Sequence, residues 1–213
     1  MEAIILDLDG TLIDSLEHHI SSYLKAAKKL GIAIKPNLIR KRFGLPVEKI
    51  LKECLPQLSE EKIAEFIREK GRIFKQVRKR VRKIEGADEL LKRLHKKTKL
   101  AMATSSSKED VEFFLKKFGW QGYFEVIISA EEVRKSKPEP EIYLNCCKRL
   151  RTKPSECLVI GDSIFDMIAA RKAGIQAIGI AIAQHSKQKL KLAGATWVCS
   201  SLKGVRELIE RLF

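Results

Sequence analysis

No apolar run in the 213 residues approaches the ~18–20 residues that a membrane-crossing helix needs. The first one, Ala3 to Leu6, is cut off at Asp7 and is too short for the core of a secretory leader. The five cysteines, Cys54, Cys146, Cys147, Cys157 and Cys199, are odd in number and form no C-x-x-C pair. Neither a disulfide framework nor a zinc site is indicated, and a reduced, cytoplasmic setting follows. The four histidines, His18, His19, His95 and His185, lack ligand spacing and read as structural or surface residues. No internal repeat or low-complexity linker interrupts the chain. Acidic residues are scarce beside basic ones, 27 against 42, for a net charge of +15. Such a surplus puts nucleic acid among the conceivable partners. Most of it lies in one third of the chain, where residues 15–85 hold 19 Lys/Arg against 8 Glu, a net of +11. Val77, Val81 and Ile84 recur at helical spacing through the densest part, so the run from Arg78 to Lys83 reads as a helix with a solvated basic face.

What is present begins with residues 3–12, Ala-Ile-Ile-Leu-Asp-Leu-Asp-Gly-Thr-Leu. A continuous apolar run is the pattern of a strand buried on both faces in a parallel sheet, and ligands bind such sheets outside the carboxyl ends of the strands. Asp7 and Asp9 stand at that end. Extended geometry would aim both carboxylates to one side, where like charges ask for a cation, a shared proton or a division of roles.

Further apolar strands are expected at 99–104, 124–129, 157–160, 177–180 and 196–199, alternating with helices. That alternation predicts a doubly wound parallel, Rossmann-like α/β sheet. Residues 14–84 read instead as helices with no strands. Helices are expected at 16–30, around 38–43, at 47–54 and from the Ser59 N-cap to about residue 70, followed by the basic one. The organisation is therefore a core of residues 1–14 and 86–213 with an all-helical domain, 15–85, inserted.

Three more strand ends carry polar groups. Thr104 and Ser105 close the second strand just before a helix N-terminus, which favours a phosphate. Pro138 fixes the backbone that presents Lys137, which taken singly is a surface lysine. Gly161-Asp162-Ser163 ends the fourth strand, and Asp166 follows in the first turn of the next helix, where alone it would serve the helix dipole.

Together these stretches resemble the four ordered motifs of the haloacid dehalogenase-like superfamily: Asp7-x-Asp9-Gly-Thr-Leu, Thr104, Lys137, and Gly-Asp162-Ser-x-x-Asp166. The resemblance spans residues 7–166. It implies that Asp7 forms an aspartyl-phosphate, that Asp9 acts as general acid and base, and that Thr104, Ser105 and Lys137 bind phosphoryl oxygens. It further implies Mg2+ held by Asp7, the backbone carbonyl of Asp9, Asp162 and Asp166, with residues 15–85 as a cap. Dehalogenase relatives lack the second carboxylate, so Asp9 points to phosphate esters. The stretch from Arg40 to Ile50 resembles the Gly-Leu-Pro segment of phosphoglycolate phosphatase-like caps, which makes Arg40 and Arg42 candidates for gripping a substrate carboxylate. The expected activity is hydrolysis of a small phosphorylated metabolite. A sugar-phosphate mutase of the β-phosphoglucomutase type and a basic nucleic-acid-binding module are the alternatives. The intact carboxylate and lysine set argues against nucleic acid despite the net charge, and no membrane partner or oligomeric state follows.

Overall fold

The computed structural model describes residues 1–182 and 185–212. The chain opens with strand β1 (Ala3–Leu6) and makes a tight turn. The carbonyl of Leu8 accepts from the N–H groups of Thr11, Leu12 and Ile13, and Gly10 N–H returns to the Ile13 carbonyl at 2.8 Å. Gly10 sits at φ +81°, and a Cβ there would lie 2.3 Å from Asp162 Oδ2, so only glycine fits. Strand β2 (Ile13–Asp14) follows. Helices α1 (Leu16–Lys29), α2 (Pro36–Arg40), α3 (Val47–Cys54) and α4 (Glu60–Val77) come next, and β3 (Arg82–Lys83) pairs antiparallel with β2 to form a two-stranded ribbon. The remaining elements alternate: α5 (Ala87–His95), β4 (Lys99–Ala103), α6 (Lys108–Phe118), β5 (Val126–Ile128), α7 (Glu141–Leu150), β6 (Cys157–Gly161), α8 (Ile164–Lys172), β7 (Gln176–Ile180), α9 (Lys187–Ala193), β8 (Trp197–Cys199) and α10 (Leu202–Leu212).

The main sheet has six parallel strands in the order β5-β4-β1-β6-β7-β8. This is the expected α/β, Rossmann-like arrangement. Alternation along each strand splits the core in two. Ile4, Leu6, Leu100, Met102 and Ile160 face a cluster completed by α5, α6 and α10. Ala3, Ile5, Ala101, Ala103 and Val159 face α7, α8 and α9. From β1 the chain winds outward through β4 and β5, then returns to β6 on the other side of β1. The direction of winding reverses around β1, so a crevice opens at the carboxyl ends of β1, β4 and β6.

The helical stretch has a core of its own, in which Ile20, Tyr23, Ile39, Phe43, Leu51 and Phe66 pack together and Phe165 of α8 leans against them. Two expectations are corrected here. The ribbon puts short strands at both ends of a stretch read as strandless; two residues are too few for an alternating pattern to show. The basic run is not a separate helix either. Helix α4 continues unbroken through Gly71, tightens to a 3₁₀ turn at Arg78–Arg80 and gives way to β3. Arg78 does not face solvent. Its guanidinium holds Asp110 at 2.7 Å and Glu109 at 3.2 Å and lies over the Phe113 ring. No helix among the described residues is long and apolar enough to cross a membrane.

Candidate active site

Three strand ends meet in the crevice. Asp7 follows β1, Thr104 follows β4, and Asp162 follows β6, while Asp166 sits in the first turn of α8. The local sequence explains that last position. Ser163 accepts from the Asp166 N–H, and Asp166 returns bonds to the Ser163 N–H and hydroxyl, a reciprocal cap at the helix start. The loop before α7 brings Lys137 into the same space. Its Nζ donates to Asp7 Oδ1 at 2.8 Å and to the Ala103 carbonyl at 2.9 Å, and it pairs with Asp166 Oδ1 at 2.7 Å. A residue that looked like surface is 1% exposed.

Asp7, Asp162 and Asp166 are all buried and can offer oxygens within 4.8 Å of one another. Burial and the neighbouring Asp166 push the Asp7 carboxyl up, against the pull of Lys137. Burial, Asp7 and Asp166 push Asp162 well up. Burial also opposes charge on Asp166, but Lys137, Ser163 and the Tyr143 hydroxyl, 2.7 Å away, outweigh it and hold Asp166 below the usual range. Three buried carboxylates around one lysine leave an excess of negative charge, and Asp162 Oδ2 is buried with no hydrogen-bond partner. Hard oxygen donors, excess negative charge and an orphaned carboxylate oxygen suit a divalent cation.

Asp9 is placed differently from the expectation. The strand ends at Leu6 and the turn at Gly10 redirects the chain, so the Asp9 carboxylate faces α1 and is not in the three-carboxylate cluster. It accepts from Ser15 Oγ at 2.5 Å, from Ser106 Oγ, and from His19 Nε2 at 3.1 Å. Burial opposes its charge, yet those donors, His19 first, hold it down at about 2. His19 Nδ1 lies 2.9 Å from Lys70 Nζ, and its ring stacks on Phe74 at 3.9 Å. An ammonium has only donors to offer, so Nδ1 accepts and the ring proton sits on Nε2, aimed at Asp9. Burial and Lys70 keep His19 neutral by lowering its pKa, and burial brings Lys70 down to about 8.

His19, expected from its spacing to be a structural or surface residue, bonds Asp9, and its links to Lys70 and to Ser106 across Asp9 carried no signal in the sequence. His19 and Lys70 are 51 positions apart and Asp9 and Ser106 are 97 apart, so no local pattern joins them.

A cavity of about 140 Å³ opens over Asp7, Asp9 and Thr104. Thr104 Oγ1 accepts from the Ser106 N–H at 3.1 Å. Ser105 reaches the other way, and its hydroxyl donates to the Gly44 carbonyl at 2.8 Å, joining the sheet side to the helical side. Arg40 and Arg42 do not line this cavity, which corrects their assignment as a carboxylate grip. Arg40 pairs with Glu17 at 2.6 Å, and Arg42 pairs with Glu53 at 2.8 Å and donates to the Leu38 carbonyl. Each guanidinium is held by a carboxylate of a neighbouring helix within the helical stretch. Arg42→Ala is accordingly expected to leave kcat/KM within about threefold, under 1 kcal/mol, in steady-state phosphate release from any small phosphomonoester.

Comparison with known proteins adds the relationship. A family model for haloacid dehalogenase-like hydrolases matches residues 4–180. The chain is 32% identical over 205 residues to the phosphorylated carbohydrates phosphatase of Thermotoga maritima, covering 92% of each chain. A solved hydrolase from Pseudomonas syringae has a TM-score of 0.93 at 25% identity, covering 100% of this chain and 99% of that one. A β-phosphoglucomutase from Clostridium difficile has a TM-score of 0.87 at 25% identity, covering 99% and 96%.

Proposed function

We propose, from the premise that this chain belongs to the haloacid dehalogenase-like hydrolases and is a phosphoric monoester hydrolase, that it dephosphorylates a small metabolite through an aspartyl-phosphate on Asp7. One observation carries the proposal: Asp7 is paired with Lys137 and belongs to a buried carboxylate cluster with an unpartnered oxygen, beside a cavity that a second, hydrogen-bonded carboxylate also lines.

An oxygen of Asp7 bonds to phosphorus as the ester P–O bond breaks, and the departing oxygen takes a proton from Asp9. In the second half-reaction Asp9 takes a proton from water, whose oxygen attacks phosphorus and releases inorganic phosphate and Asp7. Donors from Ser15, His19 and Ser106 favour the ionised Asp9 that this second half needs. His19 belongs to α1, so the helical insert supplies one of the donors that bias Asp9. Residues 15–85 thus act as a cap. Lys137 neutralises charge beside Asp7, and Thr104 offers its hydroxyl to a phosphoryl oxygen. Asp7, the Asp9 backbone carbonyl, Asp162 and Asp166 would hold Mg2+, which when bound supplies Lewis-acid charge to the phosphoryl group.

A mutase of the β-phosphoglucomutase type must hold a second phosphoryl group against the cap. No arginine lines the cavity among the described residues, and the cap's lysine there, Lys70, is bonded to His19. Hydrolysis is the better-supported reading.

Phosphate release from p-nitrophenyl phosphate is expected to fall about a hundredfold or more in excess EDTA and to return with Mg2+, as loss of metal charge stabilisation of several kcal/mol requires. Ca2+ should restore it poorly because of its larger, looser coordination shell. Full activity in EDTA would refute the metal assignment. His19→Asn is expected to lower kcat by about ten- to a hundredfold with a smaller change in KM, part of the general acid–base contribution. An unchanged kcat would remove His19 from the mechanism.

A further inference from the structure

We propose that the cavity selects phosphomonoesters whose alcohol is short, uncharged and largely apolar; this rests on the phosphatase reading above. The observation behind it is the cavity wall opposite Asp7. Tyr23, Phe43, Leu45, Val47, Ile50 and Ile67 supply that wall, all from the helical insert.

Several polar side chains around them make bonds within the protein. Lys70 faces His19, Ser105 donates to the Gly44 carbonyl, Ser106 to Asp9, and Ser107 to Asp110. Asp110 in turn is held by Arg78. Against this wall a hydroxyl-rich or carboxylate-bearing alcohol would give up water that the wall does not replace, whereas an alkyl group would lose nothing.

Size points the same way. The volume of about 140 Å³ is close to the ~150 Å³ of an apolar cavity that binds benzene, and the phosphoryl group must share it. Gly44, which lines the cavity, packs so closely on the sheet side that an added Cβ would meet Ser163 Cβ and Oγ at 2.8 Å.

The test compares three phosphomonoesters of similar size, propyl phosphate, glycerol 3-phosphate and 2-phosphoglycolate, with p-nitrophenyl phosphate as the activity control, all with Mg2+. The expected result is a kcat/KM for propyl phosphate about tenfold or more above that for each of the other two, 1.4 kcal/mol or more in transition-state terms. In Val47→Arg, which puts a guanidinium into the half-buried rim of the wall, the ratio of phosphoglycolate to propyl phosphate kcat/KM should rise about tenfold or more. Hydrolysis of p-nitrophenyl phosphate together with glycerol 3-phosphate or phosphoglycolate turned over at least as well as propyl phosphate would overturn the inference and leave the phosphatase reading standing. Phosphate release from none of the four would overturn both. A folded Val47→Arg with an unchanged ratio would show that Val47 does not face the alcohol, which also contradicts the inference. If that variant fails to fold, the wild-type series decides alone.

Discussion

Asp7→Asn is expected to abolish phosphate release, by about ten-thousandfold or more, a loss of the size seen when other hydrolases lose their nucleophile. The amide keeps the shape of the carboxylate but cannot form the acyl-phosphate bond. The fold should survive, because Lys137 keeps its pair with Asp166 and its bond to the Ala103 carbonyl. Burial also disfavours the Asp7 charge, so removing it relieves a cost as well as a contact. Steady-state turnover of p-nitrophenyl phosphate beside a thermal melt separates the two effects. Retention of even about a tenth of wild-type turnover, a barrier change of only ~1.4 kcal/mol, would rule out Asp7 as nucleophile.

Lys137→Met carries the largest expected cost in stability. The ammonium is the buried cation between Asp7 and Asp166, with Asp162 close by. Deleting one partner of a buried ion pair leaves uncompensated charge and costs about 3–5 kcal/mol. For a chain of this size that lowers Tm by roughly 6–20 °C. Measured in EDTA, the melt should show this drop. Added Mg2+ should then raise the Tm of the variant more than that of the wild type, because a cation among the carboxylates replaces the missing charge and binding to the folded state stabilises it. Identical melts for the two proteins would mean that Lys137 does not balance these carboxylates.

The parts of the molecule that could be seen in the sequence are those where function abuts a strongly patterned element. Asp7, Thr104 and Asp162 each follow a run of buried strand residues, so the end of the run marks the position. Asp166 is marked by the serine three residues before it. Lys137 was found only through its place among the other motifs, since its own surroundings resemble a surface loop. The antiparallel ribbon escaped because Ile13–Asp14 and Arg82–Lys83 are too short for alternation to register.

The cap side was the hardest to foresee. Its cavity wall is assembled from α1, α3, α4 and the segment between α2 and α3, and the bond from His19 to Lys70 spans 51 positions. Charge alone was misleading in this region. Arg40 and Arg42 are exposed to local competition from Glu17 and Glu53, and an arginine next to a glutamate pairs there before it reaches across a cavity. The apolar residues of the same stretch, Leu45, Val47 and Ile50, carried no functional signal in the sequence, although they line the site.

The central claim is that phosphate passes through Asp7. Its most direct test is a rapid acid quench during the first turnover of a substrate carrying radiolabelled phosphate, followed by peptide mapping. The account predicts protein-bound label on the peptide containing Asp7, stable in acid, released by hydroxylamine as an acyl phosphate is, and absent from Asp7→Asn. Substrate consumed in that turnover with no label on the protein, or with label on a different peptide, would contradict it.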